Sequence, residues 1–155
     1  MATMMKSLNI TARCGGAYRD AVFSPYGIGD AQIPHFLRIC SHPGITQEQL
    51  SRDLCIHKSN VTRQVALLRE RGFVERRVEQ GDRRVRRLYP TARAQKLLPI
   101  VREGLYAWSA YLTLDFSEQE KELLMPLLRK LSARAVAYFE SGELKQTLET
   151  QEDGK

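Results

Sequence analysis

Apolar positions fall at helical intervals on both sides of a break in the middle of the chain. Leu50 and Leu54 sit four apart, and Val61, Val65 and Leu68 form a second stripe after Ile56–His57. "SHPGIT" ahead of them is a turn, with Pro43 and Gly44 stopping what precedes. Thr46 and Gln49 then make a capping box, which predicts a short helix over 46–54. A second helix runs from Lys58 to Gly72, where glycine supplies a left-handed end. Two short helices with a tight turn between them, the second amphipathic and basic, are a helix-turn-helix. After Gly72 the period shortens. "FVERRVEQ" and "RRVRRLYP" read as two strands, and Gly81–Asp82 as the turn between them, with the return strand ending at Pro90. Helix-turn-helix followed by a hairpin is the order of a winged helix.

The flanks are helical. Thr91 caps a long helix whose stripe is Leu97, Val101, Leu105, Trp108 and Leu112. Ser117 with Glu120 opens another, with Leu124, Leu127 or Leu128, Leu131, Ala135 and Tyr138 on one side. Upstream, helices are expected over about 5–23 and 30–41, joined by "SPYGIGD", with Pro34 near the first turn of the second. The fold class is therefore mainly α with a small β-hairpin. The expected layout is a single domain over 1–155, with a winged-helix lobe at 28–91. Dimerisation helices occupy 1–27 and 92–147, and 148–155 form a polar tail. The acidic, polar stretch from 140 onward is expected to fray. The apolar faces of the long helices exceed what so small a domain covers alone, which calls for paired helices from a second copy.

Charge sharpens this picture. Between Lys58 and Arg87 stand ten basic residues against four acids, an excess of six. The whole chain of 155 residues carries the same +6, so the remainder is neutral. An excess confined to thirty residues is a polyanion footprint. No apolar run reaches membrane-spanning length and no signal-peptide core opens the chain, so the reading is cytoplasmic. Cys14, Cys40 and Cys55 are odd in number and widely spaced, which argues for reduced thiols rather than disulfides.

With Val61, Val65 and Leu68 turned inward, the second helix shows Lys58, Ser59, Asn60, Thr62, Arg63 and Gln64 outward. Such groups contact base edges in the major groove. Arg63 is the first choice for a base contact, and Asn60 or Gln64 suits adenine. The hairpin tip gathers Arg83, Arg84, Arg86 and Arg87, whose mutual repulsion a minor groove or a phosphate pair relieves. Asp82 accepts from turn amides or holds an arginine.

From "YGIGDAQ" through "ITQEQLSRDLCIHKSNVTRQVALLRERGFVERR" to "GDRRVRRLYPTARAQKLLP", about residues 26–100, the chain resembles the MarR family of winged-helix regulators. The most specific pieces are Asp82 with Arg84, the Thr91 helix start, and the run from Leu68 to Arg77. The resemblance implies a two-fold dimer that binds double-stranded DNA as a transcription regulator, a repressor at palindromic operators. It places wings at Asp82 and Arg84, and recognition helices through Ser59, Asn60, Thr62 and Arg63. It also implies release by a small aromatic or acidic ligand, with Tyr18, Tyr26, His35, Arg38, Trp108 and Tyr111 as lining residues. Three departures stand out: His57 where an acidic cap is common, "YPT" before the long helix, and Arg93–Ala94 in place of a glycine.

No nucleophile motif, phosphate-binding loop or carboxylate pair supports an enzyme, and no cofactor is expected. Cys40-x-His42 and Cys55-x-His57 repeat a pattern that suits zinc, but two buried thiols and two surface histidines explain it, and no metal is expected. Cys14, one turn before Tyr18 on the first helix, is a candidate redox thiol of the same fold. A winged helix used to bind protein is the remaining alternative, opposed by the arginine-rich wing.

Overall fold

A computed structural model describes residues 3–79 and 82–141, without the side chains of 79, 82–85 and 139–140. The elements follow as α1 (Met4–Phe23), α2 (Ile33–Ser41), β1 (Ile45–Thr46), α3 (Gln47–Leu54), α4 (Lys58–Glu70), β2 (Val74–Glu79), β3 (Asp82–Pro90), α5 (Ala92–Leu112) and α6 (Glu118–Ser141). The chain divides into two compact units, Met1–Tyr111 and Leu112–Lys155.

In the first unit, the helix-turn-helix forms as its punctuation dictates. Thr46 Oγ1 accepts from Gln49 N at 3.2 Å and Gln49 Oε1 accepts from Thr46 N at 2.9 Å, closing the capping box. α3 ends in a way the sequence does not announce. Cys55 adopts a left-handed φ of 52°, a conformation ordinarily left to glycine or asparagine. Ile56 N–H reaches back to the Ser51 carbonyl at 3.1 Å, and the Ser51 hydroxyl donates to the Ile56 carbonyl at 2.6 Å, which fixes the turn. Gly72, at φ 74°, ends α4 as expected, with Phe73 N–H bonded to the Leu68 carbonyl at 2.9 Å. Pro34 lies in the first turn of α2, where its missing donor costs nothing.

The hairpin is present and has a third strand. β1, read from sequence as part of a turn, pairs antiparallel with β3, giving the order β1-β3-β2. Ile45 lies opposite Leu88, and Arg76 opposite Leu88 from the other side. The core is continuous beneath these elements. Phe23, Phe36, Ile39, Leu50, Val61, Val65, Leu68, Leu88 and Val101 are fully buried. Phe36 and Phe73 meet edge to face at 5.9 Å. Each such side chain contributes about 1.5–3 kcal/mol.

Thr91 caps α5 through Ala94 N at 3.3 Å and donates to the Gly72 carbonyl at 2.6 Å, tying the helix start to the end of α4. α5 meets α1 closely: a Cβ on Gly104 would lie 2.7 Å from the Phe23 ring. The Tyr18 hydroxyl donates to the Gly104 carbonyl at 2.9 Å across 86 positions of sequence. α5 continues through Pro99, which leaves one carbonyl a turn earlier without its donor.

In the second unit, Ser117 and Glu120 form the expected capping box of α6. The helix continues through Pro126. Its apolar residues are largely uncovered: Leu127 is 59% exposed and Leu123 60%. Of the stretch expected to fray from 140 onward, 140 and 141 lie in α6 and 142–155 fall outside the described residues; of the expected Gly81–Asp82 turn, Asp82 begins β3 and Gly81 falls outside them.

Candidate nucleic-acid interface

α4 presents the polar face the apolar stripe requires. Lys58, Ser59, Asn60, Thr62 and Arg63 are exposed, while Val61, Val65 and Leu68 are fully buried. His57 does cap the helix: its Nδ1 accepts from Ser59 N at 3.3 Å and lies 2.7 Å from the Ser59 hydroxyl. Lys58 faces Glu48 at 3.4 Å, an exposed pair of little energetic weight. Arg63 makes no ion pair among the described residues, so its guanidinium is available.

Two expected groove residues need correction. Gln64 is 2% exposed and points into the core, where Gln32 Nε2 donates to its Oε1. The cause is its position beside Val61 and Val65 on the inward arc of the helix. Asn60 remains on the surface, but its Oδ1 accepts from Gln64 Nε2 at 3.1 Å. One lone pair of that oxygen is therefore engaged inward, and the NH2 is the other end of the amide.

On the hairpin, Arg86 is exposed and lies opposite Val78. Arg87 is half-buried and donates to the Gly44 carbonyl at 3.0 Å, so it fastens β3 to the turn before β1 rather than projecting from the tip. The side chains of Asp82, Arg83 and Arg84 lie outside the described residues. Two further arginines join the site. Arg69 of α4 and Arg76 of β2 line one surface hollow of about 530 Å3 with Ala66, Glu70, Val74 and Glu75. Arg76 sits below the usual arginine range, first through burial and then through the like charges of Arg69 and Arg86, and its Nε is buried without a partner. Strand alternation from Val74 was the signal that could have placed Arg76 on the face toward α4. Arg77 faces the other way, paired with Glu75 and lying 4.4 Å over the Tyr89 ring.

The six expected ligand-lining residues do not converge. Tyr18, Trp108 and Tyr111 form one stacked row, with centroids 4.8 and 5.8 Å apart. His35 is buried on α2 with Nδ1 at 3.1 Å from the Ala31 carbonyl. Arg38 pairs with Asp53 beside a hollow of about 310 Å3 that also contains His42, Gln49 and Arg87. Tyr26 borders a different hollow with Phe73, Arg93 and Lys96. Aromatic content and proximity in sequence could not distinguish these four places. Among the described residues no group of three or more His, Cys, Asp or Glu side chains is placed to hold a metal ion. Cys14 is exposed on α1, whereas burial pushes the Cys40 thiol up to about 11 against the lowering effect of Arg102.

A helix-turn-helix, a polar recognition-type helix and an arginine-bearing hairpin on one lobe define the winged-helix class. The model of the MarR family matches residues 26–85, across the lobe just described. The chain is 24% identical over 132 residues to the uncharacterized HTH-type transcriptional regulator YybA of Bacillus subtilis (strain 168), covering 84% of this chain and 87% of that protein. It superposes on a MarR transcriptional regulator from Methanosarcina mazei Go1 with TM-score 0.82 and 28% identity, over 86% of this chain and 96% of that one. A putative MarR family transcriptional regulator from Listeria monocytogenes, complexed with 26mer DNA, shares the fold with TM-score 0.84 at 22% identity, over 92% and 95% of the two chains. No helix among the described residues is long and apolar enough to cross a membrane.

Proposed function

We propose that this protein is a cytoplasmic transcription regulator that binds double-stranded DNA sequence-specifically as a homodimer, repressing at palindromic operators. It performs no covalent catalysis. The observation that carries the reading is the exposed row Lys58, Ser59, Asn60, Thr62 and Arg63 beside a hairpin bearing Arg86, all within the segment from Lys58 to Arg87 that holds the whole charge excess. A helix of this kind fits the major groove, and a basic hairpin fits the flanking minor groove. The DNA-bound Listeria relative supports the same use of the fold.

The lobe over 28–91 does the binding, and helices within 1–27 and 92–147 carry dimerisation. Met4, Met5 and Tyr106 in the first unit, and Leu123, Leu127 and Tyr138 in the second, are exposed apolar groups that a second copy would cover. Release by a small aromatic or acidic ligand fits the stacked row of Tyr18, Trp108 and Tyr111.

The test is a salt titration on a selected palindromic duplex beside a scrambled one. If a dimer neutralises about six to eight phosphates, the log–log slope of affinity against salt is roughly −5 to −7. A slope shallower than about −2, or equal affinity for both duplexes at physiological salt, rejects the reading and favours a winged helix that binds protein.

A further inference from the structure

A row of side-chain amides runs from the joint between α1 and α2 to the exposed face of α4. Gly29 N–H donates to Gln32 Oε1 at 2.9 Å. The Arg71 guanidinium, held by the Gly27 carbonyl at 2.9 Å, lies 3.5 Å from the same oxygen. A backbone N–H and a guanidinium only donate. The Gln32 atom facing them is therefore its oxygen, and its NH2 is turned into the core. There it donates to Gln64 Oε1. Gln64 is left with Nε2 as its free end, and this donates to Asn60 Oδ1 at 3.1 Å.

An isolated amide can turn either way, and only its hydrogen-bond partners say which. Here the first member is set by two groups that cannot accept, and each later member is set by the one before it. Reversing the row would put the Gln32 NH2 against two donors, with Gln32 7% and Gln64 2% exposed. Buried donors facing donors are costly. The Asn60 oxygen points at a buried side chain and thus away from the surface. Its trigonal NH2 is left on the open side.

We propose that this relay makes Asn60 a one-sided reader of the major groove, offering NH2 and withholding its oxygen. The proposal rests on the DNA-binding reading above. At the groove edge guanine O6 and N7, adenine N7 and thymine O4 accept, adenine N6 also donates, and cytosine offers only its N4 donor. An asparagine with both ends free grips adenine through N6 and N7 together. Asn60 lacks the accepting half of that grip. It bonds to guanine, thymine or, through N7, adenine, and rejects cytosine, and Gln64, Gln32 and Arg71 are positioning residues that act through it.

The experiment is selection from a random duplex library with the full-length protein and with Asn60→Ala, Gln64→Glu and Gln64→Met. The position that becomes degenerate in Asn60→Ala is the base Asn60 meets. There the wild type disfavours cytosine by about tenfold against the other three bases. Gln64→Glu cannot donate, so Asn60 turns its NH2 inward and its oxygen outward, and the preference shifts to cytosine and adenine, whose amino groups donate. Gln64→Met releases the amide, and cytosine is accepted alongside the other three. A wild-type preference for cytosine, or an Asn60→Ala site identical to the wild type, overturns the proposal.

A second measurement does not need DNA or a variant that folds. Side-chain NH2 hydrogen exchange should be slow at Gln32 and Gln64 and at the solvent rate at Asn60. Protection of the Asn60 NH2 overturns the polarity of the relay. Failure of the wild type to enrich any duplex, with the exchange pattern as stated, overturns the DNA-binding reading instead.

Discussion

His35 is buried on α2 with its Nε2 unpartnered, and burial holds its imidazole below the ordinary histidine range, against the raising effect of the Ala31 carbonyl. The folded state therefore binds fewer protons than the unfolded chain. Stability is full above the unfolded value near about 6.5, falls as pH drops below it, and levels off at the folded value. Urea midpoints measured from pH 7.5 to 5 should fall for the wild type and flatten for His35→Gln. Parallel curves would show that His35 contributes nothing to acid sensitivity. On the groove face, Arg63→Ala should cost roughly 1–3 kcal/mol at the preferred site and relax its sequence requirement. Arg86→Ala should weaken specific and random duplexes by similar factors, since a hairpin arginine near phosphates carries little base information. Equal losses on both DNA types for both variants would reject this division. The exposed polar positions of α4 were legible in sequence because three apolar residues fixed the helix phase. The inward turn of Gln64 was not, because a glutamine at the edge of that phase goes inward only if a partner such as Gln32 waits there, 32 positions away.

At the scale of elements, every long helix and both hairpin strands were legible, since their caps and periods are local signals. Strand β1 was missed because two residues carry no period of their own, and its pairing with Leu88 and Arg87 comes from a distant strand. The left-handed end of α3 was missed because a cysteine announces no such conformation. This corner sets the angle at which α4 leaves α3. Cys55→Val puts a β-branched side chain at φ 52° and should cost about 1–3 kcal/mol in a thermal or denaturant melt. Cys55→Gly should be tolerated far better. If the two variants melt together, the backbone there relaxes without strain.

At the scale of the molecule, the exposed apolar groups of the long helices are what the proposed dimer would cover. Leu127 and Leu131 of α6 are uncovered in one chain. If the proposed dimer uses this face, changing both to glutamate should leave a 17.7 kDa species in sedimentation at micromolar concentration. Helical content should remain, because both sites are exposed. A wild type that already sediments as the single chain would remove the dimer. The arginine-rich segment was legible as a charge excess, but its division of labour was not. Arg87 ties down the turn before β1 and Arg76 packs toward α4, and only the strand register separates them from Arg86.

The hydrogen bond from Tyr18 to Gly104 has a temporal side. α1 leaves the ribosome before α5, and its seat on α5 is made of residues synthesised more than eighty positions later. The contacts of α3, α4 and the hairpin close over far shorter loops, whose entropy is smaller. Between those two moments the buried ring of Phe23 has no Gly104 to rest on. The time for which Phe23 lacks that cover is therefore at least the time taken to synthesise residues 24–104, however fast the lobe itself folds.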